Sequence, residues 1–351
     1  MPAPEAQVDM GVEKRGFSLA SLLGEDRMIW VVLLVLVVLC AIFEPATLKG
    51  NAVLAMLPFA SILAIAAIGQ CLVIQQGGID FSVAGSITLA AAIVTGHANG
   101  DEGQLVGAIA MALIAVMLAG LINGIAISWL RITPIIATLA TNALLIGAVQ
   151  SYTNGIPKQA TASLHSFVVD KSLGLPHTVY LAAAFVIVAA LVLNFTVVGR
   201  RFIAIGSNPA SARAVGLPVS LYVIGTYVLA AFCYGVAGIV FAGYVKTPGI
   251  DIGNAYLLST ITAVVVGGTA LGGGRGRIVG TALAALFLGQ LQAFIGATGA
   301  PVSVSLLVQS ATIAVAVSFS TGRGGPALAN LARSVRGAFE QVDSKETRRS
   351  G

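Results

Sequence analysis

Long apolar runs separated by short polar segments extend along most of the chain. Ten such runs lie at about 28–43, 51–74, 79–97, 104–128, 132–151, 178–196, 220–244, 257–271, 278–297 and 301–319. A helix of about 20 apolar residues crosses roughly 30 Å of hydrocarbon, which is the thickness of a bilayer core. The pattern therefore predicts an all-α, polytopic integral membrane protein with about ten transmembrane helices.

Charge and composition add an orientation to this pattern. Only 9% of the residues are charged and 57% are hydrophobic, a balance that soluble domains do not reach. Lys and Arg resist translocation, so they collect on the cytoplasmic side. With the N-terminus inside, only four of the 19 Lys and Arg residues fall outside, at positions 49, 158, 171 and 246. We therefore predict a membrane domain over 28–319, with cytoplasmic tails over 1–27 and 320–351.

A weak internal repeat links the two halves of the chain. Residues 77–96 align without gaps to residues 248–267 and share a Gly-Ile-Asp triplet that ends at Asp80 and Asp251. In the predicted layout the first copy starts at the inner face and the second at the outer face. Two inverted halves of five helices each are typical of transporters that alternate access to a central site. We predict such a 5+5 inverted repeat.

A polar, basic segment at 199–219 interrupts the apolar pattern. Within it, Ser207 or Asn208 can cap a short helix, Pro209 suits its first position, and Gly216 suits its end. Such a helix is either a solvated loop on the cytoplasmic side or a docking element for a partner. The residues alone leave both interpretations open.

Asp80 is the carboxylate closest to a predicted span, and it follows Gly77 and Gly78, which favour a break in the helix. A charged group inside the bilayer costs roughly 2.5–3.5 kcal/mol, so its presence needs a reason. One interpretation is a broken helix that lines a transport pathway. The other is a helix N-cap, because an acid complements the dipole at a helix start. The same two interpretations apply to Asp251.

Neutral amides are spread through the predicted spans. Uncharged hydrogen-bonding groups suit a neutral polyhydroxylated solute, although membrane helices also use them to hold one another. The candidate pathway residues are Gln70, Gln75, Asp80, Ser82, Asn123, Asn142 and Gln290. A second candidate feature is a tight cytoplasmic turn formed by Gly272, Gly273, Gly274 and Arg275.

Signatures of an enzyme do not occur in the sequence. The three histidines are scattered, and the run at 267–277 lacks the Gly-Lys-Ser/Thr of a phosphate-binding loop. The cysteines at 40, 71 and 233 lie inside apolar runs and are typical of small core residues. We therefore predict no catalytic site, no metal site and no cofactor bound by this chain.

Four sequence blocks resemble the permease subunits of bacterial ATP-binding-cassette importers for ribose, xylose and related monosaccharides. They are GGIDFSVAGSITLAA at 77–91, RITPIIATLAT at 131–141, GRRFIAIGSNPASARAVGLPV at 199–219 and GGTALGGGRGRIVGT at 267–281. The resemblance implies a multi-pass protein of the bacterial inner membrane that imports a monosaccharide or similar solute. It also implies an ATPase subunit that uses ATP and Mg²⁺, an extracytoplasmic sugar-binding protein and a second permease copy or homologue, as a homodimer. It implies no nucleic-acid partner.

The resemblance assigns a role to the segment at 199–219, which would dock on the ATPase. The matching positions are Gly206, Ser207, Asn208, Pro209, Ala212, Arg213 and Gly216. Because Gly206 and Ala212 lie outside the predicted spans, we expect bulky residues there to uncouple the ATPase and leave the permease folded. Ala210, Ser211, Gln290, Gln292 and Gln309 depart from residues that are common in the family, which leaves the exact solute and ATPase open.

An ion-coupled secondary transporter is the alternative function. An inverted repeat suits that class equally well. Ion coupling usually needs carboxylates within the membrane, however, and Asp80 is the one that the predicted spans offer. The sequence therefore favours an ATP-driven importer subunit.

Overall fold

The computed structural model describes residues 27–320, which form thirteen α-helices and one very short β-hairpin. The helices are α1 Arg27–Phe43, α2 Gly50–Gln75, α3 Val83–Ala98, α4 Leu105–Ser128, α5 Pro134–Thr153, α6 Ala162–Val169, α7 His177–Phe195, α8 Val197–Ser207, α9 Pro209–Ala214, α10 Val219–Val245, α11 Asn254–Val266, α12 Ile278–Ala297 and α13 Val302–Ser320. The antiparallel strands β1 Lys171–Ser172 and β2 Leu175–Pro176 lie between α6 and α7. Short 3-10 turns at Pro45–Leu48 and Glu102–Gln104 precede α2 and α4.

Each of the ten predicted runs corresponds to one helix, in the predicted order. Six helices of the described chain are long and apolar enough to cross a membrane, namely α2, α4, α5, α7, α10 and α12. Four shorter apolar helices coincide with α1, α3, α11 and α13. The predicted class, a polytopic helical membrane protein, is confirmed. The predicted tails lie outside the described residues, apart from Arg27 and Ser320 at the helix ends.

Two predicted boundaries were wrong, and glycines explain both. The third span was expected from residue 79, but α3 begins at Val83 because Gly77 has φ +77° and the chain turns before the helix starts. The eighth span was expected to reach residue 271, but α11 ends at Val266. There Gly267 lies against the backbone of α12, and Gly268 has φ +87°, which ends the helix.

Helices α2 and α10 form the centre of the molecule and run antiparallel. Gln70, in the second half of α2, contacts Tyr234 of α10. Phe59, in the first half of α2, and Phe241, near the end of α10, both pack on Tyr256. A side chain on Gly69 or Gly238 would collide with a neighbouring helix, so these glycines permit the close packing. Most residues in the second half of α2 are fully buried.

The arrangement around this pair supports the predicted repeat. Helix α10 packs against α3 and α4, and α2 packs against α11 and α12. Helix α3 also contacts α4 and α5, just as α11 contacts α12 and α13. Exchanging the four helices α2–α5 for α10–α13 therefore preserves these contacts. Helices α1 and α7 depart from the symmetry, since α1 packs on α12 and α7 packs on α2.

Candidate pathway cluster and coupling segment

A tight turn between α2 and α3 positions the central polar residues. The amide N–H of Gly77 donates to Ile74 and that of Gly78 donates to Val73, which ends α2. A side chain on Gly78 would lie 2.5 Å from the hydroxyl of Tyr227 on α10, so Tyr227 would have to move to make room for it. The turn therefore runs against α10 and brings Asp80 into the interior, where 1% of its surface is exposed.

Asp80 organises the start of α3 through Ser82. One carboxylate oxygen, Oδ1, accepts hydrogen bonds from the backbone N–H of Ser82 at 2.8 Å and from its hydroxyl at 2.5 Å. The N-cap position of α3 is occupied by Ser82, so the prediction that Asp80 is the N-cap residue was wrong. Asp80 instead accepts the backbone N–H of the N-cap residue itself, Ser82, as acids in turns commonly do for the residue two positions on.

The hydrogen bonds continue from Ser82 into two further helices. The Asn123 amide of α4 donates to the Ser82 hydroxyl at 3.0 Å, and the Thr141 hydroxyl of α5 donates to Asn123 at 2.6 Å. Asn142, also on α5, accepts the backbone N–H of Gly85 at 2.7 Å. Hydrogen bonds between polar groups thus connect the turn, α3, α4 and α5 in an otherwise apolar interior.

Gln70 ties the same turn to α2 and α10. When the amide nitrogen of Gln70 faces α10, it lies 2.8 Å from the Tyr234 hydroxyl and 3.1 Å from the backbone oxygen of Asp80. The amide oxygen of Gln70 then accepts the Asp80 N–H at 3.2 Å. Five of the seven predicted pathway residues therefore meet in one place. We call Gln70, Asp80, Ser82, Asn123, Thr141, Asn142 and Tyr234 the Asp80 cluster.

Sequence reasoning missed Thr141 and Tyr234, because a hydroxyl in an apolar run usually bonds to its own helix and carries little signal. It also assigned Gln75 and Gln290 to the pathway, and neither joins the Asp80 cluster. The Gln290 amide lies 3.4 Å from the backbone oxygen of Thr47, near α1. Gln75 points instead toward Cys71, 3.4 Å away, near the end of α2.

The predicted short helix in the segment 199–219 is α9, and its predicted ends are confirmed. The Asn208 side chain accepts the backbone N–H groups of Ala210 at 3.1 Å and Ser211 at 3.0 Å, and Pro209 is the first residue. Gly216, with φ +81°, ends it. Ser207, the other candidate cap, is the last residue of α8 and donates its hydroxyl to Ile203.

Helix α8 was not predicted as a separate element. Thr196 caps it by accepting the Gly199 N–H at 3.1 Å, and a side chain on Gly199 would collide with the end of α7. Phe202 and Ile205 are buried, whereas Arg200 and Arg201 are exposed. Its amphipathic pattern fits a helix at the membrane–water boundary. Ile205 packs with Ala212 and Val219, which fixes α9 to α8 and α10.

The end of α8 meets the end of α2 and the predicted glycine turn. The Gly274 N–H donates to the Gln75 backbone oxygen at 2.8 Å, and Gly206 packs so closely there that a side chain would collide with that oxygen. We call Gln75, Gly206 and Gly274 the glycine junction. The expectation that a bulky residue at Gly206 leaves the fold intact is therefore wrong, since this glycine belongs to the packed interior.

The glycine turn itself has the predicted form. Gly273 and Gly274 have φ +85° and +89°, which other residues rarely adopt, and Arg275 is exposed beside them. In the coupling segment, Ala212 and Gly206 are buried. The other five predicted coupling positions, Ser207, Asn208, Pro209, Arg213 and Gly216, are exposed. The well-capped helix α9 thus presents most of the predicted coupling positions on its outer surface.

Comparison with known proteins now gives this architecture a family. A family model described as "Branched-chain amino acid transport system / permease component" matches residues 52–317. The chain belongs to this permease family. It is therefore a multi-pass membrane permease component, as the four sequence blocks predicted, and its place is the inner membrane.

Several curated relatives are similar to this permease over most of its length. The ribose import permease protein RbsC of Escherichia coli K12 is 33% identical over 87% of this chain and 95% of its own. RbsC of Bacillus subtilis 168 is 34% identical over 81% of this chain and 89% of its own. The autoinducer 2 import system permease protein LsrD of Photorhabdus laumondii is 32% identical over 84% and 90%, respectively. No solved structure matches the chain.

The environment of Asp80 predicts a clear difference between two substitutions. Asp80→Asn keeps an oxygen that accepts the Ser82 donors, so we expect a folded permease. Asp80→Leu leaves the buried N–H and hydroxyl of Ser82 without their acceptor, which costs about 1–3 kcal/mol for each unsatisfied group. Thermal unfolding in detergent measures both effects, and Asp80→Leu should unfold at a clearly lower temperature.

Asp251, the exposed counterpart of Asp80 in the repeat, supplies the control. Asp251→Leu should unfold at the wild-type temperature. Equal unfolding temperatures for Asp80→Leu and Asp251→Leu would contradict a structural role for the Asp80 carboxylate.

Proposed function

We propose that this permease imports a monosaccharide or a similar small hydroxylated solute as the membrane subunit of an ATP-binding-cassette importer. The observation that carries the proposal is the similarity to ribose import permeases along nearly the whole chain. The Asp80 cluster supports it, because amides and hydroxyls match the hydroxyl groups of a neutral solute. A branched-chain amino acid, the solute in the family description, would bring a carboxylate and an ammonium group.

The proposed partners follow from the permease family to which the chain belongs. The coupling segment, residues 199–219, would dock on an ATPase subunit that binds ATP and Mg²⁺, and this chain would bind neither. An extracytoplasmic sugar-binding protein would deliver the solute to the outer face. A second permease copy would complete the transport unit as a homodimer. The exposed Arg213 on a well-capped helix is suited to an acidic group on the ATPase.

A physical connection supports a role for the segment in transmitting motion. The Gln76 side chain, one residue beyond α2, donates to the backbone oxygen of Phe202 in α8 at 2.9 Å. The glycine junction holds the last residue of α2 against the end of α8. Residues 77–82 follow directly and carry Asp80. Movement of α8 would therefore act on the turn that holds the Asp80 cluster.

The Asp80 cluster would open during this movement. In the structure its members other than Asn142, which bonds to Gly85, form hydrogen bonds with one another, and Gln70, Asp80 and Asn123 are almost fully buried. The contacts between Asn123 and Ser82 and between Asn142 and Gly85 join α3 to α4 and α5. Solute hydroxyls could replace these contacts without leaving a buried polar group unpaired, because hydroxyls both donate and accept.

Transport in proteoliposomes tests the proposed solute class. The permease, reconstituted with its ATPase and binding protein, should take up radiolabelled ribose, xylose or a neutral polyol in an ATP-dependent manner. Leucine should not enter, and collapse of the ion gradients should have no effect. Uptake of leucine would contradict the solute class. Uptake by the permease alone, driven by an ion gradient, would instead establish the secondary transporter.

A charge reversal at Arg213 tests the proposed coupling. The side chain is exposed, so Arg213→Glu should keep the wild-type unfolding temperature. It should lose at least about tenfold in co-purification of the ATPase, which corresponds to about 1.4 kcal/mol, and lose uptake in proportion. Lys171→Glu, a reversal in the predicted outer loop, should co-purify normally. Normal association and uptake by Arg213→Glu would show that the segment is a solvated loop.

A further inference from the structure

An apolar groove lies on the side of the permease between α2, α7, α8 and α10. Its volume is about 420 Å³, within the roughly 300–1,000 Å³ that is typical of ligand pockets. Its walls are aliphatic and aromatic side chains together with Gly199 and Cys233. No part of the Asp80 cluster lines it, so it is separate from the candidate pathway.

The groove opens on an exposed apolar face of the described helices. Helix α7 is the least buried of the six long apolar helices, and Ile187, Val188 and Leu191 on it are all more than half exposed. An apolar cleft in contact with the bilayer is filled by hydrocarbon, because an empty cleft forfeits the dispersion contacts of its walls. An apolar groove of this kind is therefore suited to a lipid chain.

The shape of the groove suits a chain that lies along α7. Lining residues on α7 run from Leu181 to Leu193, which is about 18 Å at 1.5 Å per residue. The stacked rings of Phe185 and Phe232, with centroids 5.9 Å apart, form part of its wall. Helix α7 enters the coupling segment just beyond this point, so in the predicted orientation the groove opens in the cytoplasmic leaflet.

Two arginines stand at the cytoplasmic end of the groove. Val198 and Gly199 line it, and Arg200 and Arg201 follow them directly in the first turns of α8. Both arginines are exposed, on the side where the surface of a bacterial membrane carries anionic headgroups. The positive end of the α8 dipole adds to their field. The charge of the two arginines and their position at the end of the groove therefore favour a lipid with an anionic headgroup.

We propose that the groove binds one acyl chain of an anionic phospholipid whose headgroup lies on Arg200 and Arg201. The lipid would lie at the turn between α7 and the coupling segment. Thr196 and Gly199 hold that turn in place. It would support the angle between the two helices. The proposal concerns a lipid site and does not depend on which solute is transported.

Native mass spectrometry of the purified permease tests this site. The permease is equilibrated with equal amounts of phosphatidylglycerol and phosphatidylcholine that carry identical acyl chains. One arginine near the membrane surface is worth about 1 kcal/mol toward anionic lipid, so two predict about 30-fold more bound phosphatidylglycerol. Equal retention of both lipids by the wild type would overturn the proposal.

Two pairs of variants separate the headgroup from the chain. R200Q/R201Q should abolish the preference for phosphatidylglycerol, whereas R131Q/R213Q, which removes two other exposed cytoplasmic charges, should keep it. Ala189→Phe fills the groove and should abolish retained lipid, whereas Ala183→Phe, on the same helix outside the groove, should not. The proposal fails if R200Q/R201Q behaves like R131Q/R213Q, or if Ala189→Phe behaves like Ala183→Phe. Unfolding temperatures establish that all variants are folded.

Discussion

A backbone hydrogen bond between Gln75 and Gly274, covered by Gly206, joins three distant parts of the chain. Each partner is there for a physical reason: Gln75 ends α2, Gly274 needs a positive φ, and Gly206 must have no side chain. An α-helix end leaves its last carbonyl groups unpaired, and here the glycine turn supplies a donor to one of them. The coupling segment is thereby part of the packed protomer as well as a surface for a partner.

The two halves of the permease differ despite their repeat. The turn after α2 is enclosed by the Asp80 cluster, and Asp80 is buried. The corresponding turn after α10 carries Asp251, which is exposed. A shared Gly-Ile-Asp triplet thus serves two environments, because the first turn packs against Tyr227 of α10 and brings Asp80 inside, whereas Asp251 stays exposed.

Sequence reasoning recovered the parts of the fold that hydropathy and capping chemistry determine locally. Ten apolar runs became ten helices, and Asn208, Pro209 and Gly216 delimit α9 as predicted. It also identified most of the Asp80 cluster, because a buried amide or acid in an apolar run is costly and therefore conspicuous.

What the sequence did not predict depends on contacts between segments far apart in the chain. Gln75 and Gln70 are equivalent by composition, yet only Gln70 faces Tyr234 and Asp80. The start of α3 at Val83 depends on a turn packed against α10, and the requirement for glycine at 206 depends on α2. Periodicity within one helix contains no information about these neighbours.

The unfolding temperature of the isolated permease carrying Gly206→Ala tests the central claim most directly. One added methyl group would collide with the Gln75 backbone oxygen, so the account predicts a lower unfolding temperature without any ATPase present. Ala204→Leu, an exposed position on the same helix, should match the wild type. A wild-type unfolding temperature for Gly206→Ala would contradict the account, because the segment would then be held by its partner alone.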